Sequence, residues 1–163
     1  QAASKASGDI LLFIDTDIKF HKNFVEKIQN AFNDPTVVGA TCNIMPFSSR
    51  PVEKVFFAAY NQLIRFTARF KPHSRGEFLA VRKTAFESAC GFDENMPCLE
   101  DHDLANRIAK LGRFAFISDL TVYESMRRFR KLGFSRVIGT WVMDYFAFAI
   151  RGKPVSATWK PVR

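Results

Sequence analysis

Five apolar residues in a row, Ile10-Leu11-Leu12-Phe13-Ile14, stand between Ser7-Gly8-Asp9 and Asp15-Thr16-Asp17. A run of that length with polar flanks predicts a strand buried on both faces, as in a parallel sheet covered by helices. The apolar period then changes. Phe24, Val25, Ile28 and Phe32 mark one helical face, and Asn33-Asp34-Pro35 stops it. Val37 to Ile44 reads as a second strand. From Glu53 to Phe70 the positions Val55, Phe56, Ala59, Leu63, Phe66 and Phe70 step by three or four, while Lys54, Gln62, Arg65 and Arg69 fill the other side. That spacing predicts an amphipathic helix with its apolar stripe toward the core.

Phe78 to Val81 predicts a short strand, and Thr84-Ala85-Phe86-Glu87 has the form of a capping box opening a helix that ends near Gly91. Asp101 to Leu111 predicts another helix, with Gly112 just past its end. Phe114 to Ile117 and Thr121 to Tyr123 read as two short strands. Val137 to Ile150 is apolar almost all round, broken mainly by Asp144, and is shorter than the roughly 20 residues that span a bilayer. Burial against protein is one fate for such a segment; lying in a membrane interface is another. Strands alternate with helices, so the expected class is α/β.

With 163 residues and 47% of them hydrophobic, the chain has material for one well-filled core, and disorder is excluded for most of its length. Cys42, Cys90 and Cys98 are odd in number and form no C-x-x-C pair, which excludes a disulfide framework or a thiolate zinc site and predicts plain thiols in a reducing, cytoplasmic compartment. Gln1 to Gly8 is small and polar, unlike a signal peptide. The net charge of +8 becomes informative once located. Residues 127–163 hold nine of the 24 basic residues and only one of the 16 acids, Asp144, so residues 1–126 are balanced and the whole excess sits in the tail. We therefore divide the chain into a neutral body, 1–126, and a basic, aromatic-rich segment, 127–163.

Two acidic clusters carry the candidate chemistry. Asp15-Thr16-Asp17 leaves the C-terminal end of the first strand, the edge at which open α/β sheets bind ligands. Carboxylates at that spacing suit one hard divalent cation, magnesium or manganese, with positions left for substrate phosphate. A helix cap or a solvated turn would use the same residues. Phosphatases of the haloacid-dehalogenase type share the D-x-D but continue with Thr or Val where this chain has Lys19, which disfavours them. The second cluster, Leu99-Glu100-Asp101-His102-Asp103-Leu104, places three carboxylates at a predicted helix start, where the helix dipole should keep them ionised. An ionised carboxylate there suits proton abstraction from a hydroxyl, although acids in a first turn are also ordinary helix chemistry.

The order of these segments resembles family 2 glycosyltransferases. Ala6-Ser7-Gly8-Asp9-Ile10 running into Phe13-Ile14-Asp15-Thr16-Asp17 is similar to that family's A-x-G-D-(apolar)-D-x-D segment. Gly76 to Lys83, then Phe86, Gly91-Phe92-Asp93-Glu94, Glu100-Asp101-His102-Asp103-Leu104, Arg107 and Leu111-Gly112-Arg113 are similar to its later block, so the resemblance covers roughly residues 4 to 135. It implies a truncated GT-A, Rossmann-like mixed sheet flanked by helices, with a C-terminal helical tail. It implies a nucleotide-sugar donor, a divalent cation at Asp15 and Asp17 with Asp17 the direct ligand, and Asp101 as the base of a single inverting displacement. Glu100 would orient the acceptor or Asp101. The family's base-binding strand and Gly/Asn-rich loops lie upstream of anything present here, so the fragment is expected to bind donor weakly or not at all. Many GT-A enzymes also supply a late His to the metal, but Val122-Tyr123-Glu124-Ser125 offers none, which leaves water or diphosphate for that position.

In the tail, Ser125-Met126-Arg127-Arg128-Phe129 resembles an S-x-R-R-(aromatic) stretch of some members, several of which use lipid-phosphate acceptors. Arg127, Arg128 and Asp103 are accordingly candidates for acceptor or phosphate binding, and an anionic membrane surface, at the inner face of the cell membrane, is a candidate partner. No nucleic-acid fold signature is present, so nucleic acid is not expected as a partner. The competing reading is a basic membrane- or nucleic-acid-associating module with structural carboxylates. Strand 10–14, without its upstream neighbour, is expected to pair with a second copy or to be covered by rearrangement.

Overall fold

The first apolar run becomes β1 (Ile10–Ile14) in a computed structural model that describes residues 2–68 and 70–156. A short α1 (Ala2–Lys5) precedes it, and β2 (Lys19–Phe20), α2 (Phe24–Phe32), β3 (Val37–Pro46) and α3 (Pro51–Thr67) follow. The second half contains β4 (Phe78–Arg82), α4 (Lys83–Ser88), α5 (Glu100–Ile108), β5 (Arg113–Glu124), α6 (Arg127–Leu132) and α7 (Phe134–Arg151). Arg69, Lys160 and Arg163 of the sequence reading lie outside the described residues.

The strands form one mixed sheet in the order β1-β4-β3-β5-β2, with β3 and β5 parallel and the other neighbours antiparallel. The α/β class is as expected, but β1 is not the doubly buried parallel strand that its composition predicted. It pairs antiparallel with β4, Ile10 opposite Arg82 and Ile14 opposite Phe78. Among the described residues no strand covers its other edge, and only Leu11 of the five is fully buried. An apolar run reports the demand for burial, not the direction of the neighbour that meets it.

Helices cover both faces of the sheet. On one, Ile28 and Phe32 of α2, Phe57 of α3, Phe129 of α6 and Val137 of α7 pack on Ala40, Cys42, Ile44 and Val122. On the other, Leu104, Ala105 and Ile108 of α5 pack with Ala85 on Val38, Leu79, Val81 and Phe114. Gly39 allows this second layer to close down, because a Cβ there would lie 2.8 Å from the Phe114 ring and 3.3 Å from Ile108.

Four expectations change. The buried face of α3 is a different one: Glu53, Phe57, Asn61 and Ile64 are buried, whereas Val55, Leu63 and Phe66 are exposed, as is Phe70 beyond the helix. Asn61 belongs inside because its amide bonds both Ile44 N–H (3.1 Å) and Ile44 C=O (2.9 Å), a side-chain extension of the β3 edge. Second, α4 starts at Lys83 with Arg82 as N-cap and no side-chain cap bond, so Thr84 is not a capping residue. Third, the two short strands at 114–123 are one strand, β5, whose pairing with β3 jumps from Ile117 to Thr121 opposite Cys42 and Asn43. Fourth, α7 buries only Val137 and Asp144, leaving most of its apolar surface partly or fully exposed. Asp144 is inside because its Oδ1 accepts from the backbone N–H groups of Val155 (3.0 Å) and Ser156 (2.8 Å), tying down the chain after the helix.

Candidate active site

The antiparallel register that sets Ile14 opposite Phe78 carries over one step, so Asp15 leaves β1 beside Glu77 as that residue enters β4. A second approach comes from Leu99, whose left-handed φ of 61° turns the chain into α5 and puts Glu100 and Asp101 in its first turn. A cavity of about 730 Å³ lies between these segments. Asp15, Glu77, Glu100, Asp101, Arg75 and Arg128 line it, and Phe56, Tyr60, Trp141 and Tyr145 supply an aromatic wall from α3 and α7. Two predicted clusters far apart in sequence thus share one space.

Asp17 is not among the lining residues. Its Oδ2 accepts from Arg127 Nη2 at 2.7 Å, a pair in which both side chains are partly exposed. Asp103 is also outside the lining, held by Arg107 at 2.7 Å one turn along α5. The structure therefore brings together Asp15, Glu100, Asp101 and Arg128, joins Asp17 to Arg127 beside them, and sets Asp103 apart.

Electrostatics inside the cavity are dominated by burial and by repelling carboxylates. Desolvation pushes Asp101 up to about 8, with Glu100 and Glu77 adding to the shift. The backbone N–H groups of Asp101 and His102 pull the other way, as a helix start should, but burial outweighs them. The expectation of an ionised first turn is corrected at this residue. Asp15 rises to about 6, first through burial and then through Glu77 and Asp17, while Arg128 opposes the shift.

Sequence reasoning missed the buried frame behind this cluster. Arg75 is almost fully buried, donating from Nη2 to Glu124 Oε2 at 2.5 Å and lying 3.4 Å from Glu77 through Nε. Its guanidinium also faces the Phe57 and Tyr60 rings at 5.1 Å and Trp141 at 5.6 Å. Burial works against the Arg75 charge, and Glu77 and Glu124 more than restore it. Burial and Glu77 together hold Glu124 well above the usual carboxylate range. Glu124 is the last residue of β5, inside the Val122-Tyr123-Glu124-Ser125 segment that offers no histidine.

Two histidines form the next layer. His73 and His102 lie with ring centroids 4.3 Å apart and planes tilted by 51°, and His73 Nε2 is 3.0 Å from Tyr60 Oη. His102 is fully buried against Tyr145 and Phe148 with neither ring nitrogen bonded to protein. Burial lowers His73 to about 3 and His102 to about 4. His102, despite its place inside the acidic motif, faces this packed aromatic layer.

Among the described residues no group of three or more His, Cys, Asp or Glu converges as a closed metal cage. What is present suits an open site. Asp15 and Asp17 are hard oxygen donors, and the repulsion that raises Asp15 is the kind a divalent cation relieves.

The model of glycosyl transferase family 2 matches residues 1–91. A search of curated proteins returns no match. Among solved structures, the chain is similar to the mannosyltransferase PcManGT from Pyrobaculum calidifontis, determined with GDP-Man and Mn2+, at TM-score 0.65 and 23% identity. That likeness covers 92% of this chain and 41% of the other, so the chain spans less than half the length of this neighbour. It identifies the sheet and its helices as a GT-A, Rossmann-like fold.

Proposed function

The chain belongs to glycosyl transferase family 2, and from that premise we propose that it moves a sugar from a nucleotide-sugar donor to a hydroxyl or lipid-phosphate acceptor, with inversion and with a divalent cation at Asp15 and Asp17. The observation that carries this reading is the cavity shared by Asp15 and Asp101. Its donor class is supported by the similar mannosyltransferase, which holds GDP-Man and Mn2+.

In this reading Asp101 takes the proton from the acceptor hydroxyl as that oxygen attacks the anomeric carbon. The bond to the donor diphosphate breaks on the opposite face, which inverts the centre. When bound, the cation neutralises charge on the departing diphosphate. Asp17, once released from Arg127, would be its direct ligand, and Asp15, inside the cavity, would hold it from the other side of the D-x-D. Glu100 orients the acceptor, and Arg128, already inside the cavity, binds phosphate oxygens together with Arg127. The reading makes no use of Asp103, whose carboxylate Arg107 occupies. Arg75, paired with Glu77 and Glu124, holds Glu77 at the cavity wall.

No helix among the described residues is long and apolar enough to cross a membrane. We place the protein in the cytoplasm, peripheral on the inner membrane face. The open edge of β1 is the surface on which a second copy would pair.

The test is turnover of a nucleotide sugar with manganese by the full-length protein and by its Asp101→Asn variant. Loss of transfer with the fold intact supports the reading. Retained transfer by the variant removes Asp101 as the base; no transfer by the parent, together with salt-sensitive binding to vesicles or DNA that ignores manganese and Asp17→Ala, supports a basic association module instead.

A further inference from the structure

The burial of α3 through Phe57, Asn61 and Ile64 leaves a stripe of apolar side chains in solvent. Val52, Val55, Leu63, Phe66 and Phe70 follow one another at helical spacing, with Phe66 70% and Phe70 79% exposed and their rings 5.9 Å apart. Beside it α7 exposes Val142, Met143, Phe146 and Ile150, the last at 80%. The two helices are joined beneath this surface by Phe56 against Phe134 (5.0 Å) and Tyr60 stacked on Trp141 (6.3 Å). Contiguous apolar surface of this kind marks a docking site.

Charge identifies what docks. The only acids of α3 and α7 are Glu53 and Asp144, and both are buried. Every exposed charge on these helices is positive: Lys54, Arg65, Arg136 and Arg151. A second copy meeting this face would bring like charges together with no carboxylate on either helix to pair them. An anionic lipid surface supplies apolar depth and counter-charge at once, and long basic side chains reach its headgroups while their stems lie on the apolar stripe.

We propose that the outward faces of α3 and α7 dock the protein on an anionic bilayer. The face is continuous with the active-site cavity, because Leu63, Val142 and Phe146 are exposed on it and also line the space that holds Asp15 and Asp101. An amphiphilic acceptor therefore reaches Asp101 from the membrane with its chain against these three residues. That second part rests on the transferase reading; the docking does not.

The test is co-sedimentation of the protein with phosphatidylglycerol-containing vesicles and with phosphatidylcholine vesicles. Binding should favour the anionic vesicles by at least about tenfold and weaken as salt rises. The double variant Phe66→Glu/Ile150→Glu, folded by circular dichroism, should lose that binding while transfer to a water-soluble acceptor persists. Lys5→Glu, an exposed change in the short α1 ahead of β1, should bind like the parent. Equal binding to both vesicle types, no vesicle binding, or undiminished binding of the double variant overturns the proposal. So does a concentration-dependent dimer that the double variant dissolves, since that would make a second copy the occupant. Loss of transfer to the soluble acceptor by Asp101→Asn, with vesicle binding kept, separates the catalytic reading from this one.

Discussion

Arg127 Nη2 lies 2.7 Å from Asp17 Oδ2, so the first charge of the cationic tail is spent on the second carboxylate of the D-x-D segment. The ion pair spans the two parts into which the charge distribution divides the chain. It also puts a guanidinium where a divalent cation would need an oxygen.

Arg127→Ala should therefore tighten manganese binding in the absence of donor. An exposed pair is worth about 0–1 kcal/mol, so the gain should be no more than about fivefold. Manganese titration followed by electron paramagnetic resonance reads it directly. Binding that is unchanged or weaker would show that Arg127 does not compete at Asp17.

Asp101→Asn should reduce turnover by about 10²–10⁴ if Asp101 is the base. The isosteric amide keeps the neutral form that burial already favours, so the fold should be retained. Near-parental kcat in a stopped assay would remove Asp101 from the mechanism.

The same burial predicts the pH response. Asp101 acts as a base only when ionised, so kcat/KM should rise with pH and level off above about 8. Its effect on stability has the opposite sense. The folded value lies above the ordinary 3.8, so the contribution is complete below pH 3.8 and is lost as pH rises through about 8. Urea melts of Asp101→Asn should consequently show a flatter dependence across that window than the parent.

His102 gives the reverse slope. Its folded value of about 4 lies below the ordinary 6.5, so stability from the neutral ring is full above 6.5 and falls as pH drops toward 4. His102→Phe fits the aromatic surroundings of Tyr145 and Phe148 and leaves no unbonded ring nitrogen. Relative to the parent, the variant should gain up to about 1.4 kcal/mol per pH unit through that window. An unaltered pH profile would mean that His102 can protonate in place.

Arg75→Met should destabilise by about 3–5 kcal/mol, because it strands Glu124 without its buried partner. Adding Glu124→Gln should recover part of the loss by replacing the carboxyl that has lost its partner. A double variant as unstable as the sum of the singles would show that the pair is not coupled.

The strand at 10–14, the helix at 24–32 and the long helix at 51–67 were legible because each has its own period or flanks. The face of the long helix was not. Its buried stripe carries two polar residues, Glu53 and Asn61, and Asn61 is inside because Ile44 offers it both a donor and an acceptor. Asp144 misled in the same way, reading as an interruption when it anchors Val155 and Ser156. The sites divide similarly. Asp15 and Asp101 stood out as motif residues, whereas Arg75, Glu77 and Glu124 are ordinary charges until the fold stacks them. Nothing local to Arg75 foretells three aromatic rings around its guanidinium.

The sequence by itself determined the class of fold, the two acidic clusters and the separation of a neutral body from a cationic tail, because these depend on residue type and short-range spacing. Only the tertiary structure decided that β1 runs antiparallel to β4, that Asp101 is driven toward its protonated form, and that α3 turns an apolar stripe to solvent. Those outcomes depend on which surfaces lose water, and desolvation is set by neighbours from distant parts of the chain.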